Sequence, residues 1–247
     1  SYFGIRREPY STDFTKNALT FKHVADGVAL PAVPTLDNGG PNSEVHNAGE
    51  VWATAVFQAY VALLTRTQGA TPAYTFAEAR RRMSDYVVAG MKLSVADATF
   101  TEMRDALVMA AVANDDADAL AMAQAFAVRG FGSCAISPPR DSVDFTGVTE
   151  SFDVKANPSV RLLGLVDDGH SCDLDGYLDS GETGHVTVRV ENASIVALTG
   201  ATLTMSASLA SLDFPGGATV TVPTVAPFSF VELLARHVLA VPGERLG

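Results

Sequence analysis

One histidine, His46, lies directly in front of a long apolar stretch in the segment NSEVHNAGEVWATAVFQAYVALL (42–64), between Glu44 and Glu50. An imidazole can donate a hydrogen bond from one ring nitrogen while an acidic side chain holds the other nitrogen. A histidine at the rigid start of a helix, pointing away from the core, could therefore stabilise negative charge that develops on a substrate. The competing interpretation is a capping or surface histidine, and the residue types leave both open.

A second candidate for chemistry is the acidic segment SCDLDGYLDSGE (171–182). Its acids follow the ligand order of an EF-hand loop, with serine at position one and Gly176 at position six, where that loop turns sharply. Carboxylate and carbonyl oxygens in this order favour calcium over zinc or copper. The expected ligands are Asp173, Asp175, Tyr177, Asp179 and Glu182. Asp167 or Asp168 could replace the missing first ligand, and the alternative is a solvated acidic turn without a cation.

The elements around His46 are expected to be helical. Residues 1–45 are rich in loop signals, and from Asn47 the apolar residues recur every three to four positions. Asn47 with Glu50 has the spacing of a capping box, as has Thr99 with Glu102. Further helices are predicted in FAEARRRMSDYVVAGMKL, TFTEMRDALVMAAV and DADALAMAQAFAVRG, the last with Gly130 as its C-cap. Glu50 itself is explained by the helix macrodipole, and Trp52 by packing.

The elements around the acidic segment follow a different period. After the breaker SPPRDS, segments such as HVTVRVEN and ATVTVPTV alternate with a period of two. Strands, not the helices of an EF-hand, therefore flank the loop. The fold class is predicted to be multi-domain α+β: a mainly helical domain over 1–142, then an Ig-like antiparallel β-sandwich with the calcium loop over 143–247.

Composition narrows the classes of function. The chain has a formal charge of −11, which argues against a nucleic acid partner because phosphate backbones demand clustered Lys and Arg. No stretch is apolar and long enough to predict a membrane span. Cys134 and Cys172 could form one disulfide or stay as thiols. The chain starts without Met or a signal peptide, so we expect its ends to result from processing or from a partial sequence.

Several motifs in one order resemble the C-terminal half of a fungalysin-type zinc metallopeptidase, over roughly residues 1–142. They are GIRREPYSTDFTKNALTF, EVHNAGEVWATAVFQAY, GMKLSVADATFTEMRDALVMA and AFAVRGFGSCAISPPRDS. The resemblance implies a thermolysin-like two-lobe architecture, zinc as cofactor, a polypeptide substrate and secretion. It also implies that His46 donates to the oxyanion, that Asp37 of LDNGG orients His46, and that Arg6 binds a substrate carbonyl oxygen. Arg7 is the alternative to Arg6.

The motif H-E-x-x-H, which such enzymes use to bind zinc, does not occur in the chain. The remaining histidines have no ligand spacing either. By resemblance, the zinc ligands belong to an upstream N-terminal half, and this chain alone is expected to be inactive. The expected function is the C-terminal portion of a secreted zinc metalloendopeptidase. The alternative is a non-catalytic structural or adhesive surface protein that keeps the peptidase lobe as a scaffold beside a calcium-stabilised sandwich.

Overall fold

The protein has a mixed α+β fold with two compact units, Ser1–Lys155 and Ala156–Gly247. In this computed structural model the described residues are 6–32, 39–175, 177–179, 181–207, 212–214 and 216–240. Among them, no helix combines the length and the apolar character that crossing a membrane requires.

The first unit contains the four predicted helices, preceded by a short 3-10 turn at Phe21–Val24. They are α1 (Val45–Thr65), α2 (Phe76–Leu93), α3 (Phe100–Val112) and α4 (Asp116–Val128). The capping box at α3 is confirmed, because the side chains of Thr99 and Glu102 each bond the backbone N–H of the other. Gly130 follows α4 in the left-handed conformation, at φ 83°. A side chain there would also meet the Glu150 carboxylate, so this helix end needs glycine.

The predicted capping box at α1 is wrong. The helix begins two residues before Asn47, and its N-cap is Glu44, whose carboxylate accepts from the backbone N–H groups of His46 and Asn47. The side chains of Asn47 and Glu50 are engaged elsewhere: Asn47 donates to the carbonyl of Pro41, and Glu50 points into the core. Tertiary partners therefore decide where this helix starts.

An aromatic cluster forms the centre of the first unit. Trp52 of α1 stacks on Phe126 of α4, with ring centroids 5.9 Å apart. Phe21 stacks on Phe131 at 4.1 Å, and both are fully buried. The packing role predicted for Trp52 is confirmed.

Residues 143–155 belong to the first unit, although the sequence pattern predicts them in the second domain. Ile136 and Thr149 pair through two backbone hydrogen bonds, and Gly132 N–H donates to the carbonyl of Ser151 at 2.6 Å. The prolines after Ile136 end the preceding segment, but the chain returns and packs alongside it. The compact units consequently divide after Lys155, beyond the predicted boundary at 142.

The second unit consists of antiparallel strands in two sheets. The strands are β1 (Pro158–His170), β2 (Thr183–Asn192), β3 (Thr202–Thr204), β4 (Leu212–Asp213), β5 (Thr219–Thr221) and β6 (Ser229–Ala240). One sheet has the order β1-β2-β6-β4 and the other pairs β3 with β5. Val190 of β2, Val222 and Val225 are buried together, with Leu203 of β3 and Val231 of β6 packed against them. Side chains from both sheets thus share one core, which is consistent with a sandwich.

Candidate functional site

His46 lies in the first turn of α1, where one carboxylate both caps the helix and holds the imidazole. Glu44 Oε1 lies 2.7 Å from His46 Nδ1, and Glu44 Oε2 accepts from the backbone N–H of His46 at 2.8 Å. The hydrogen bond from His46 lowers the pKa of Glu44 below its ordinary value, so this acid stays a carboxylate. The His46 side chain is 57% exposed. A ring held in this way can stabilise negative charge beside it when Nε2 carries a proton.

Glu44 is the acid that bonds His46 in the described part of the chain. Asp37, the orienting acid that the resemblance implies, lies outside the described residues. The sequence contained a signal for the contact of Glu44, since Glu44 stands two residues before His46. The predicted N-cap at Asn47 places Glu44 outside the helix, so that prediction does not include the contact between Glu44 and His46.

Two consecutive arginines take opposite roles beside this turn. Arg6 lies at the surface, and its Nη1 donates to the carbonyl of His46 at 2.8 Å. Arg7 is buried and bonds Glu50, Asn42 and the carbonyl of Asn47. Arg6 is therefore the arginine that shares a surface with His46, and Arg7 is engaged in the core.

Glu50 has a role that the macrodipole does not explain. Its side chain is 1% exposed, and it accepts from Arg7 Nε at 2.8 Å and from the backbone N–H of Glu8 at 2.9 Å. Glu50 therefore links residues 7 and 8 to α1 through these two bonds, next to the helical turn that contains His46. A glutamate within an apolar stripe could have indicated a buried partner, because buried charges need pairing.

In the second unit, the loop between β1 and β2 gathers acidic groups. Asp167, Asp173 and Glu182 have carboxylate oxygens that all lie within 4.8 Å of one another. Asp167 and Glu182 are buried and Asp173 is exposed. Two expected ligands, Asp173 and Glu182, thus come together with Asp167, one of the two replacements considered for the first ligand.

Glu182 is the centre of this loop. Its carboxylate accepts from the backbone N–H of Cys172 at 2.6 Å, from that of Asp179 at 2.8 Å and from Ser171 Oγ at 3.1 Å. The bond from Cys172 is the main reason why the pKa of Glu182 lies below its ordinary value. The acid therefore stays ionised and closes the loop onto itself.

The other expected ligands lie outside the group of three in the part of the chain that the structure describes. Asp175 accepts from the backbone N–H of Tyr177 at 2.9 Å, and Tyr177 is exposed. Asp179 contributes its backbone N–H to Glu182. Within the described ranges, Cys172 and Cys134 are not joined by the disulfide considered for them.

A family model described as fungalysin metallopeptidase (M36) matches residues 1–135, which is more than half of the chain. The chain belongs to this family. A comparison with curated proteins finds no match. At the level of the family, a fungalysin is a zinc-dependent metallopeptidase that acts on polypeptides and is typically secreted.

The described residues of this fungalysin do not fit a catalytic zinc. Such a site needs three protein ligands that usually include histidine or cysteine. Within the described ranges, the one group of three His, Cys, Asp or Glu donors consists of Asp167, Asp173 and Glu182, all carboxylates and all in the second unit. In the family-matched region, His23 is buried against Thr20 and His46 is held by Glu44. Zinc chemistry is accordingly not assigned to any of these residues.

Proposed function

We propose that this chain is the C-terminal portion of a secreted zinc metalloendopeptidase and forms one wall of its active-site cleft. The zinc ligands would come from an upstream segment, the N-terminal half of the same peptidase. The observation that carries the proposal is the surface formed by His46 and Arg6 at the start of α1. This surface lies within the family-matched region.

The proposed role of His46 is to stabilise the oxyanion formed when a peptide carbonyl is attacked. Glu44 lies within hydrogen-bond distance of Nδ1 and holds the ring, so that Nε2, when it carries a proton, can donate to the developing charge. The N-terminus of α1 adds a positive potential at the same place. Arg6 would bind a substrate carbonyl oxygen, with its guanidinium positioned by the carbonyl of His46.

The test is His46→Ala in the peptidase that carries its zinc-binding segment. Loss of one oxyanion donor should lower kcat by about 10²–10³-fold, and zinc content measured by mass spectrometry should not change. Val45→Ala, at an exposed neighbouring position of α1, is the matched control and should keep full activity. If His46→Ala retains nearly full turnover, the donor role is wrong.

A second candidate is a non-catalytic structural or adhesive protein that uses the peptidase lobe as a scaffold. The carboxylate-only composition of the described three-donor group is compatible with this role. Mass analysis of the natural protein distinguishes the two candidates. An associated segment with H-E-x-x-H and one bound zinc supports the enzyme, whereas a zinc-free protein without chelator-sensitive proteolysis supports the scaffold.

We also propose that the loop 171–182 binds calcium. Asp173, Asp175, Asp179 and Glu182 would supply carboxylates and Tyr177 its backbone carbonyl, with Asp167 in place of the first ligand. The approach of Asp167, Asp173 and Glu182 supports this, because three ionised carboxylates within 4.8 Å repel each other unless a cation compensates them.

The calcium proposal predicts that a chelator lowers the melting temperature of the second unit and that added calcium restores it. Asp173→Asn should weaken this response, and Asp153→Asn, an exposed carboxylate of the first unit, should leave it unchanged. Differential scanning calorimetry with isothermal titration of calcium measures both effects. If neither chelator nor calcium changes the melting temperature, the calcium proposal is wrong and the loop is a solvated acidic turn.

A further inference from the structure

Strand β1 lies at the edge of the four-stranded sheet and pairs with β2 on one side only. Among the described residues, no strand pairs with its other side. β1 has 13 residues, and all but two of them are exposed. The backbone N–H and C=O groups along an open edge of this length can pair with another strand.

The side chains of β1 are apolar on the side of the sheet that faces the core. In the strand register, Val160 lies opposite Val190 and Leu162 lies opposite Val188, so these four share one face. The two β2 residues are 2% and 6% exposed, whereas Val160 is 56% and Leu162 66% exposed. The core of the second unit therefore stops at β2, and the apolar face continues beyond it uncovered.

The devices that protect edge strands lie mainly towards the ends of β1, with Pro158 at its first residue and Asp167 and Asp168 near its last; no lysine occurs in it. Its register shifts lie between Leu162 and Gly164 and between Val166 and His170. A side chain added at Gly164 would meet open space. A glycine within a strand can mark a bulge or a close approach of another backbone, and Gly164 allows both.

We propose that β1 pairs antiparallel with β1 of a second copy of the chain, joining two four-stranded sheets across a two-fold axis. With the axis between Leu163 and Gly164, Leu162 of each copy lies opposite Leu165 of the other. The shift at Leu163 keeps these two leucines on the same face, because Leu165 lies opposite Val186 of β2. The centre of the pairing is therefore apolar and symmetric.

The charges of β1 fit the same register. Arg161, which lies opposite Arg189, is on the opposite face. Its diagonal neighbour in the second copy is Asp168, a half-exposed carboxylate that also contacts His185 of its own chain. Arg161 and Asp168 lie on either side of the axis, so the contact occurs twice. This self-complementary order of opposite charges around an apolar centre favours a second copy over an unrelated strand.

Sedimentation velocity of the full chain over a concentration series tests the proposal, with a reversible monomer–dimer equilibrium expected. Leu162→Lys should raise the dissociation constant of the dimer by about a hundredfold. The two-fold axis places the substitution at two equivalent sites, and each is expected to cost about tenfold. Val143→Lys, at an 89% exposed position in the first unit, is the matched control and should leave the equilibrium unchanged. Circular dichroism confirms that each variant is folded.

A charge exchange tests the register separately. Arg161→Glu and Asp168→Lys should each weaken self-association, because each leaves like charges facing each other across the axis. A mixture of the two variants should form a heterodimer, since opposite charges then meet again. A chain that stays monomeric at every soluble concentration, or a dimer insensitive to Leu162→Lys, would overturn the proposal. A dimer without heterodimer formation in the mixture would overturn this register.

Discussion

Replacing Glu50 by alanine should destabilise the first unit severely, although Glu50 lies outside the proposed catalytic surface. Its carboxylate is the acceptor for both Arg7 Nε and the backbone N–H of Glu8, and the pair is almost completely buried. Removal leaves a buried guanidinium without its counter-charge and a buried N–H without its acceptor. Breaking a buried ion pair in this way costs about 3–5 kcal/mol, a large part of the roughly 5–15 kcal/mol that stabilises a domain.

Trp52 makes this loss measurable in one unit of a two-unit protein. It is the single tryptophan of the chain, lies in α1 and stacks on Phe126, so its fluorescence reports on the first unit. A urea titration should give a lower midpoint for Glu50→Ala with an unchanged slope. The control is Asp85→Asn, which removes an exposed pair with Arg81 and should change the free energy of unfolding by about 0.5 kcal/mol or less.

The double variant Arg7→Met with Glu50→Leu separates the cost of an unpaired charge from the value of the pair. Apolar residues of similar volume can replace a buried pair with little or no loss. The double variant should therefore recover much of the stability that Glu50→Ala loses. If Glu50→Ala is no less stable than Asp85→Asn, the buried pair does not hold residues 7 and 8 against α1.

Two further predictions concern the helices. Thr99→Ala should destabilise the first unit by about 1 kcal/mol in the same urea assay, because α3 loses the cap that bonds Glu102; an unchanged midpoint would contradict this. Burial, together with a bond to Asp118, raises the pKa of Tyr86 to about 12. A raised pKa means that its contribution is complete below about pH 10, the ordinary tyrosine pKa, and is lost as pH rises towards 12. The free energy of unfolding should therefore fall less steeply between pH 10 and 12 for Tyr86→Phe than for the natural chain. Equal slopes would refute the raised pKa of Tyr86.

The helices and strands could be predicted because each leaves a local periodic pattern. The apolar stripe of α1 and the alternation in β2 repeat within a few residues, and neighbouring side chains alone produce them. The start of α1 could not be predicted in this way. Asn47 and Glu50 have capping-box spacing, but Glu50 is drawn into the core by Arg7, which is 43 residues away in the sequence. A pattern of neighbouring residues cannot indicate a contact between residues so far apart in the sequence.

In the candidate site, too, local features could be predicted from the sequence and contacts between distant residues could not. The position of His46 before an apolar stretch made it a candidate, and the resemblance alone selected Arg6. The contact between them joins residues 40 apart in the sequence. The choice between Arg6 and Arg7 required coordinates, because adjacent arginines have identical chemistry and differ only in the direction of their side chains. The approach of Asp173 and Glu182 was easier to predict, since both belong to one short acidic segment. Asp167 required the strand geometry of β1 to join Asp173 and Glu182.

The two arginines explain why a buried pair and an exposed contact occur side by side. Arg7 is buried against Glu50, whereas the preceding residue, Arg6, bonds the carbonyl of His46 at the surface. Glu50 and His46 are one helical turn apart, which brings the inward and outward contacts to the same turn of α1. The Arg6 guanidinium lies over the ring of Tyr10 and reaches the carbonyl of His46. The contact between Arg6 and His46 is therefore adjacent to the buried ion pair of Arg7 and Glu50, and loss of that pair is expected to disturb it.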